Sequence, residues 1–176
     1  MITNKKEHNI FRAFLHFVVV LLVVLFDRAT KMLAVKHLMP ISTYPLIQDV
    51  LHLTYVENTG AAFGMLKDHR WVFMVFSILM LVVLAVVVYK YKSDIHTLMM
   101  TGISFVIGGG IGNMIDRTVF GYVVDFIDFR IINFAVFNVA DTFICIGVGL
   151  IILDVVLKKS KISFLYDTKA NEDVKE

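Results

Sequence analysis

With a single cysteine, Cys145, the 176-residue chain cannot form an intramolecular disulfide, and cysteine usage says nothing of its redox compartment. Proline is nearly as scarce: Pro40 and Pro45 fall close together and exclude a continuous helix through that stretch. Charge is thin as well. Asp, Glu, Lys and Arg make up 18% of the residues, against about 25% in ordinary soluble domains, and the net charge of +2 is too small to point to nucleic acid. No H-E-x-x-H occurs and the histidines, at 8, 16, 37, 52, 69 and 96, are scattered, so a zinc peptidase would lack its ligands. Ser104 has no convincing Ser-His or Ser-Lys arrangement. Cys145 sits in an apolar run with no nearby His, which reads as a buried, inert thiol. No internal repeat is visible.

What the chain does have is apolar length. Its hydrophobic content is 58% and its mean hydropathy +0.77, more than one water-soluble core can absorb. About 20 apolar residues cross a bilayer as a helix, and four such spans are predicted, at about 12–30, 71–89, 95–115 and 132–157. Residues 1–157 then form one membrane-embedded domain, and 158–176 a charged, frayed cytoplasmic tail whose Lys158, Lys159 and Lys161 act as a stop-transfer and anionic-lipid anchor. The fold class expected is an all-α integral membrane protein with four transmembrane helices. A small extracytoplasmic β-element is added where Leu51, Leu53 and Tyr55 alternate with polar neighbours. Lys5, Lys6 and Arg12 ahead of an apolar run resemble a secretory signal, but no small-x-small cleavage site follows Phe26, so the first span is read as uncleaved.

Lys and Arg placement orients the spans. The N-terminus, the 90–94 loop and the tail hold ten of them in 36 residues, against seven in the 59 residues of the other two loops. Both termini are therefore expected in the cytoplasm, with the 27–70 and 116–130 loops outside.

Ionisable groups inside membrane segments are expensive and are functional candidates by default. Five aspartates lie in or at the edges of the spans: Asp27, Asp116, Asp125, Asp141 and Asp154. Asp154 is four residues before Lys158, near the cytoplasmic end of span four, where an i,i+4 pair or snorkelling is the plain reading. Asp141 is three residues after Asn138, which puts both on one helical face just under the outer surface. Asn113 and Arg117 share another face at the matching end of span three, beside Asp116, which pairs with a neighbouring cation. Gly108 and Gly112 form a small-xxx-small pair that lets another helix approach closely. Asp125, in Gly121 to Phe126, is separated from Asp141 by a short, largely apolar stretch that can fold back against the bilayer and bring the two acids together. Paired aspartates are the protease chemistry that remains. Two alternatives from other classes stay open at this point. A proton-coupled transporter or channel component also uses intramembrane acids, but more often with repeated halves and acids spread across the membrane depth. A structural scaffold leaves the gathering of polar residues at one membrane face unexplained.

Five ordered blocks carry a resemblance: D-R-A-T-K at 27–31, N-T-G-A-A-F-G at 58–64, G-N-M-I-D-R at 112–117, G-Y-V-V-D-F at 121–126 and F-N-V-A-D at 137–141. Together with the four spans, the chain resembles the bacterial lipoprotein signal peptidases, the type II signal peptidases. The resemblance implies an aspartyl endopeptidase of the bacterial inner membrane that needs no metal or other cofactor and has no obligate protein partner. Its substrate is implied to be a diacylglyceryl-modified prolipoprotein, met in the plane of the membrane lipid and cut just before the lipidated cysteine. The resemblance further implies that Asp125 and Asp141 are the catalytic pair, that Asn58, Gly60, Asn113, Arg117 and Asn138 surround the substrate, and that Asp116, Asp27 and Lys31 support the site. Arg28 departs from the family's usual glutamine, which leaves open any polar contact made from that position.

Overall fold

The computed structural model describes residues 2–60 and 70–162. In chain order the elements are α1 (Ile2–His37), β1 (Thr43–Ile47), β2 (Leu51–Asn58), α2 (Arg70–Tyr91), α3 (Thr97–Val119), β3 (Val123–Phe129) and α4 (Val139–Val156), with a 3-10 turn at Arg130–Ile132 between the last two. All four helices contain a segment long and apolar enough to cross a membrane. Large apolar side chains such as Phe17, Leu22, Trp71, Phe76 and Ile152 are exposed along them, as expected where lipid is the solvent.

Helix α3 is the central post, and glycine lets its neighbours approach. A Cβ on Gly102 would lie 2.6 Å from the Gly147 carbonyl oxygen of α4, and one on Gly108 would lie 2.8 Å from Val23 Cβ of α1. At Gly112 an added Cβ would fall 2.5 Å from Asp27 Oδ2. The Gly108/Gly112 face therefore receives α1, while Gly102 and Gly109 receive α4. Helix α2 packs on α3 and exposes most of its remaining surface.

The strands form one antiparallel sheet in the order β1-β2-β3. The third strand carries Asp125 into this sheet, with Val56 opposite Asp125 and Asn58 opposite Val123, so the stretch expected to fold back between Asp125 and Asp141 begins as a β-strand. Alternation along β3 divides its labour. Val124 and Phe126 pack with Ala34 and Leu38 at the end of α1, whereas Val123 and Asp125 face a cavity on the other side.

The third helix runs on to Val119, past the expected 115, and the largest departures from the expected ends are in the first and fourth spans. The first span continues to His37, because Lys31 lies 2.8 Å from Asp27 one turn earlier and both are buried against α3, so neither charge ends the helix. The fourth begins at Val139, not near 132. Phe137 is strapped to β3 by backbone hydrogen bonds to and from Ile127, at 2.8 and 3.1 Å. The turn from β3 into this strap runs through Asn133, which takes a left-handed φ of 48°.

Beyond α4 the chain does not fray at once. Asp154 is fully buried and accepts from the Ser160 hydroxyl at 2.6 Å and its backbone N–H at 3.1 Å. Ile162 packs among Ile95, Met99 and Ile103. The expected Asp154–Lys158 pair is thus replaced by Asp154–Ser160. The helix stops at Val156 and Lys158 turns to φ 49°, so the i,i+4 geometry never forms. The rest of the expected tail, 163–176, lies outside the described residues, as do Ala61 to Gly64 of the second sequence block.

Candidate active site

At the sheet end of the bundle, a cavity of about 520 Å³ is bordered by polar side chains from several elements. Asn58 and Gly60 reach it from the end of β2, Asn113 and Arg117 from α3, Asp125 from β3 and Asp141 from the first turn of α4. Asn58 closes β2 and Asp141 sits in the first turn of α4, so element ends aim both side chains. Asn138 is the N-cap of α4: its Oδ1 accepts the Asp141 N–H at 3.0 Å, and Asp141 Oδ2 accepts the Asn138 N–H at 3.2 Å. This reciprocal capping box fixes the Asp141 carboxylate in the first turn. The spacing of three between them is therefore a cap, not a shared helical face.

The Asn138 amide does more than cap. Its Nδ2 donates to Asp125 Oδ1 at 2.6 Å and to Asn113 Oδ1 at 3.1 Å. Asn58 Nδ2 donates to Asp125 Oδ2 at 2.8 Å, and the Asn58 oxygen accepts the Gly60 N–H at 3.0 Å. Asn113 Nδ2 donates to Asp141 Oδ1 at 2.7 Å. Each aspartate thus receives a donor on each of its oxygens.

Burial pushes the Asp125 carboxyl up to about 6, and the neighbouring Asp141 charge adds to the rise, while the Asn58 and Asn138 donors and the Lys31 charge work against it. Arg117 borders the same cavity with its guanidinium 5.5 Å over the Phe73 ring.

Asp27, Lys31 and Asp116, expected to support the site, lie outside the cavity lining in a buried charge network. Lys31 Nζ is 2.8 Å from Asp27 Oδ2 and 3.0 Å from Asp116 Oδ2. Arg28 pairs with Asp116 Oδ1, which answers what an arginine does at this position: it balances the second carboxylate. Asp27 Oδ1 also accepts the Ala140 N–H at 3.0 Å, tying α1 to the first turn of α4. Burying such charges is tolerable because each is paired and hydrogen-bonded.

Two sequence readings need correction here. Cys145 is exposed and borders the cavity one turn after Asp141, because the helix face that carries the aspartate carries it too. Ser104 does meet a histidine: its Oγ lies 3.2 Å from His16 Nδ1 across the α1–α3 contact, outside the cavity lining. The hydroxyl also donates to the Met100 carbonyl at 2.8 Å, and the contact lies away from the cavity that Asp125 and Asp141 border. Sequence reasoning also missed Phe73, Thr142 and the 134–137 strap, all of which border the cavity. Thr142 lay in view one residue after Asp141, whereas nothing local marks Phe73.

The family model of signal peptidase II matches residues 19–157. Among curated relatives, the lipoprotein signal peptidase of Halothermothrix orenii is 44% identical over 137 residues, covering 78% of this chain and 92% of that protein. That of Caldanaerobacter subterraneus is 49% identical over 130 residues, covering 74% and 88%. A solved bacterial membrane enzyme superposes with a TM-score of 0.72 at 33% identity, covering 84% of this chain and 92% of the other. A multi-span membrane peptidase is what the fold and these likenesses describe: the chain belongs to the signal peptidase II family.

Proposed function

We propose that this peptidase removes signal peptides from diacylglyceryl-modified prolipoproteins by cutting just before the lipidated cysteine, with Asp125 and Asp141 as its catalytic pair. The observation that carries this reading is the meeting of the two aspartates at one cavity, joined through the single amide of Asn138. A coupled pair of this kind keeps one proton. The ionised member takes a proton from a water held between them, and the protonated member donates to the scissile carbonyl. Collapse of the tetrahedral intermediate then returns a proton to the leaving amine. Arg117 lends a fixed positive charge at the rim.

The lipid part of the substrate has a place to go. A second, apolar cavity of about 210 Å³, bordered by Phe76, Met80, Leu81 and Ile144, shares Phe73 and Arg117 with the first and runs between α2 and the other helices. An acyl chain there would leave the peptide beside the aspartates. Lys and Arg placement supports an inner-membrane protein with both termini cytoplasmic and the sheet on the outer side.

The deciding experiment is cleavage of a synthetic diacylglyceryl prolipopeptide by purified protein, alongside the unlipidated peptide. Cleavage of the lipidated peptide at the residue before the modified cysteine is expected. Equal rates on both peptides would remove the lipid from the proposal, and no cleavage of either would overturn it.

A further inference from the structure

Lys31 is 1% exposed and does not border the cavity, yet its ammonium is one hydrogen bond away from a cavity residue. Nζ has three donors and no acceptor. Nζ donates to Asn113 Oδ1 at 2.8 Å and lies at ion-pair distance from Asp27 Oδ2, 2.8 Å, and Asp116 Oδ2, 3.0 Å. Charge balance accounts for the two carboxylates, and Arg28 already pairs with the second of them. Balance does not account for the bond to the uncharged Asn113.

An asparagine side chain can present either end to a neighbour, and the two ends have opposite hydrogen-bonding sense. Facing an ammonium, Asn113 must offer its oxygen, so its NH2 points the other way, at Asp141 Oδ1, 2.7 Å off. The second lone pair of the same oxygen takes Asn138 Nδ2 at 3.1 Å, whose other proton reaches Asp125 at 2.6 Å. From these contacts we infer that Lys31 is a positioning residue for the aspartate pair: its buried ammonium holds the Asn113 amide in the one orientation that gives Asp141 a donor. Were the amide to turn over, its oxygen would face Asp141 and force a proton onto that carboxyl, removing one of the two forms that the pair must reach. Asp27 and Asp116 are then the frame that holds Nζ at the right depth. This inference rests on the aspartyl reading above.

The test is a mutant cycle read in kcat and KM on the lipidated peptide. Lys31→Met removes every donor at nearly constant volume, whereas Lys31→Gln keeps an N–H that can reach Asn113 without the charge. Because Lys31 touches no substrate, Lys31→Met is expected to lower kcat by about tenfold or more with KM within about twofold, and Lys31→Gln to recover part of the loss. In an Asn113→Ala background the same Lys31→Met change should cost less than about twofold, since the lysine then has no amide to orient. A purely structural lysine would cost as much in that background as in the parent, and that result overturns the inference. So does a Lys31→Met protein with the parent's kcat, or one whose loss is entirely in KM. Should Lys31→Met leave Asp27 and Asp116 too poorly balanced to fold, Asp27→Asn combined with Lys31→Met removes both signs together, which buried pairs tolerate better. The same kcat loss is expected of that double variant, and parental kcat overturns the inference. Failure of the parent itself to cleave the peptide would count against the aspartyl reading; a parent that cleaves alongside an unaffected Lys31→Met counts against the lysine's role alone.

Discussion

Asn138 donates to Asp125 at 2.6 Å, and the same side chain caps the helix that carries Asp141. Helix start and active-site geometry therefore share one amide. Serine caps helices about as well as asparagine but has no NH2 to send to Asp125 or Asn113. Asn138→Ser is expected to keep α4, with a melting temperature in detergent close to the parent's, while cleavage falls by about a hundredfold or more. Asn138→Ala should lose activity and a further ~1 kcal/mol of stability through the lost cap. Parental activity in Asn138→Ser would detach the cap from the chemistry.

At the proposed catalytic pair, Asp125→Asn and Asp141→Asn preserve size and much of the hydrogen bonding but remove the carboxyls that the proposed mechanism cycles between acid and base. Each single change should lower cleavage by orders of magnitude, and the double change little further, since groups acting as a unit are not additive. Asp154→Asn, at the opposite end of α4, is the control. The amide oxygen can still accept from Ser160, and activity should be retained. Additive losses at 125 and 141 would mean that the two carboxyls act independently.

The pH profile follows from the raised Asp125 carboxyl. Burial and the Asp141 charge lift it to about 6, so as pH rises through that value the pair loses its shared proton and kcat/KM should fall. Asn58 donates to Asp125 at 2.8 Å and works to lower this value. Removing that donor in Asn58→Ala should therefore move the alkaline limb to higher pH while reducing the maximum. A limb that stays put, or moves down, would mean that Asn58 does not bear on the titrating group. A chelator should leave the parent profile unchanged throughout.

Packing at the glycine posts gives a stability prediction. An added methyl at Gly112 would lie 2.5 Å from Asp27 Oδ2, and so would press directly on the ion pair with Lys31. Gly112→Ala is expected to destabilise by ~1–3 kcal/mol, as overpacking does, and to lower activity with it. Gly149→Ala meets nothing within 4 Å and should be neutral in the same thermal assay.

How much of this was legible beforehand follows from where each signal is stored. Apolar run length is local, so the four spans, and the polar residues at their ends, stand out in the sequence. Asp27 and Lys31 are four apart, and that local spacing is all their pair needs once the first helix runs through both. What escaped depended on the third dimension. The start of α4 is set by Phe137 bonding to β3, ten residues away in sequence at Ile127, and an apolar run cannot reveal that. Asp154 was assigned to Lys158 on spacing alone, whereas the helix end turns Ser160 toward it. Arg28 could not be given a partner until α3 brought Asp116 beside it.

Cys145 offers a probe of the cavity itself. As the chain's one cysteine it gives a single labelling site. It lies four residues after Asp141, on the same face of α4, and borders the cavity that Asp125 and Asp141 share. The bond to a small apolar maleimide would leave a bulky adduct in the cavity that the proposed catalytic pair borders. Alkylation to one equivalent is expected to abolish cleavage, and prior occupancy by the lipidated peptide should slow the labelling. Cys145→Ala, in which the thiol is absent, should cleave within about threefold of the parent, since a thiol-to-methyl change near an apolar wall perturbs packing modestly. It should also be indifferent to the reagent. The two measurements are mass-spectrometric stoichiometry and residual rate. Full labelling with full activity would show that Cys145 faces lipid and that the cavity's floor lies elsewhere.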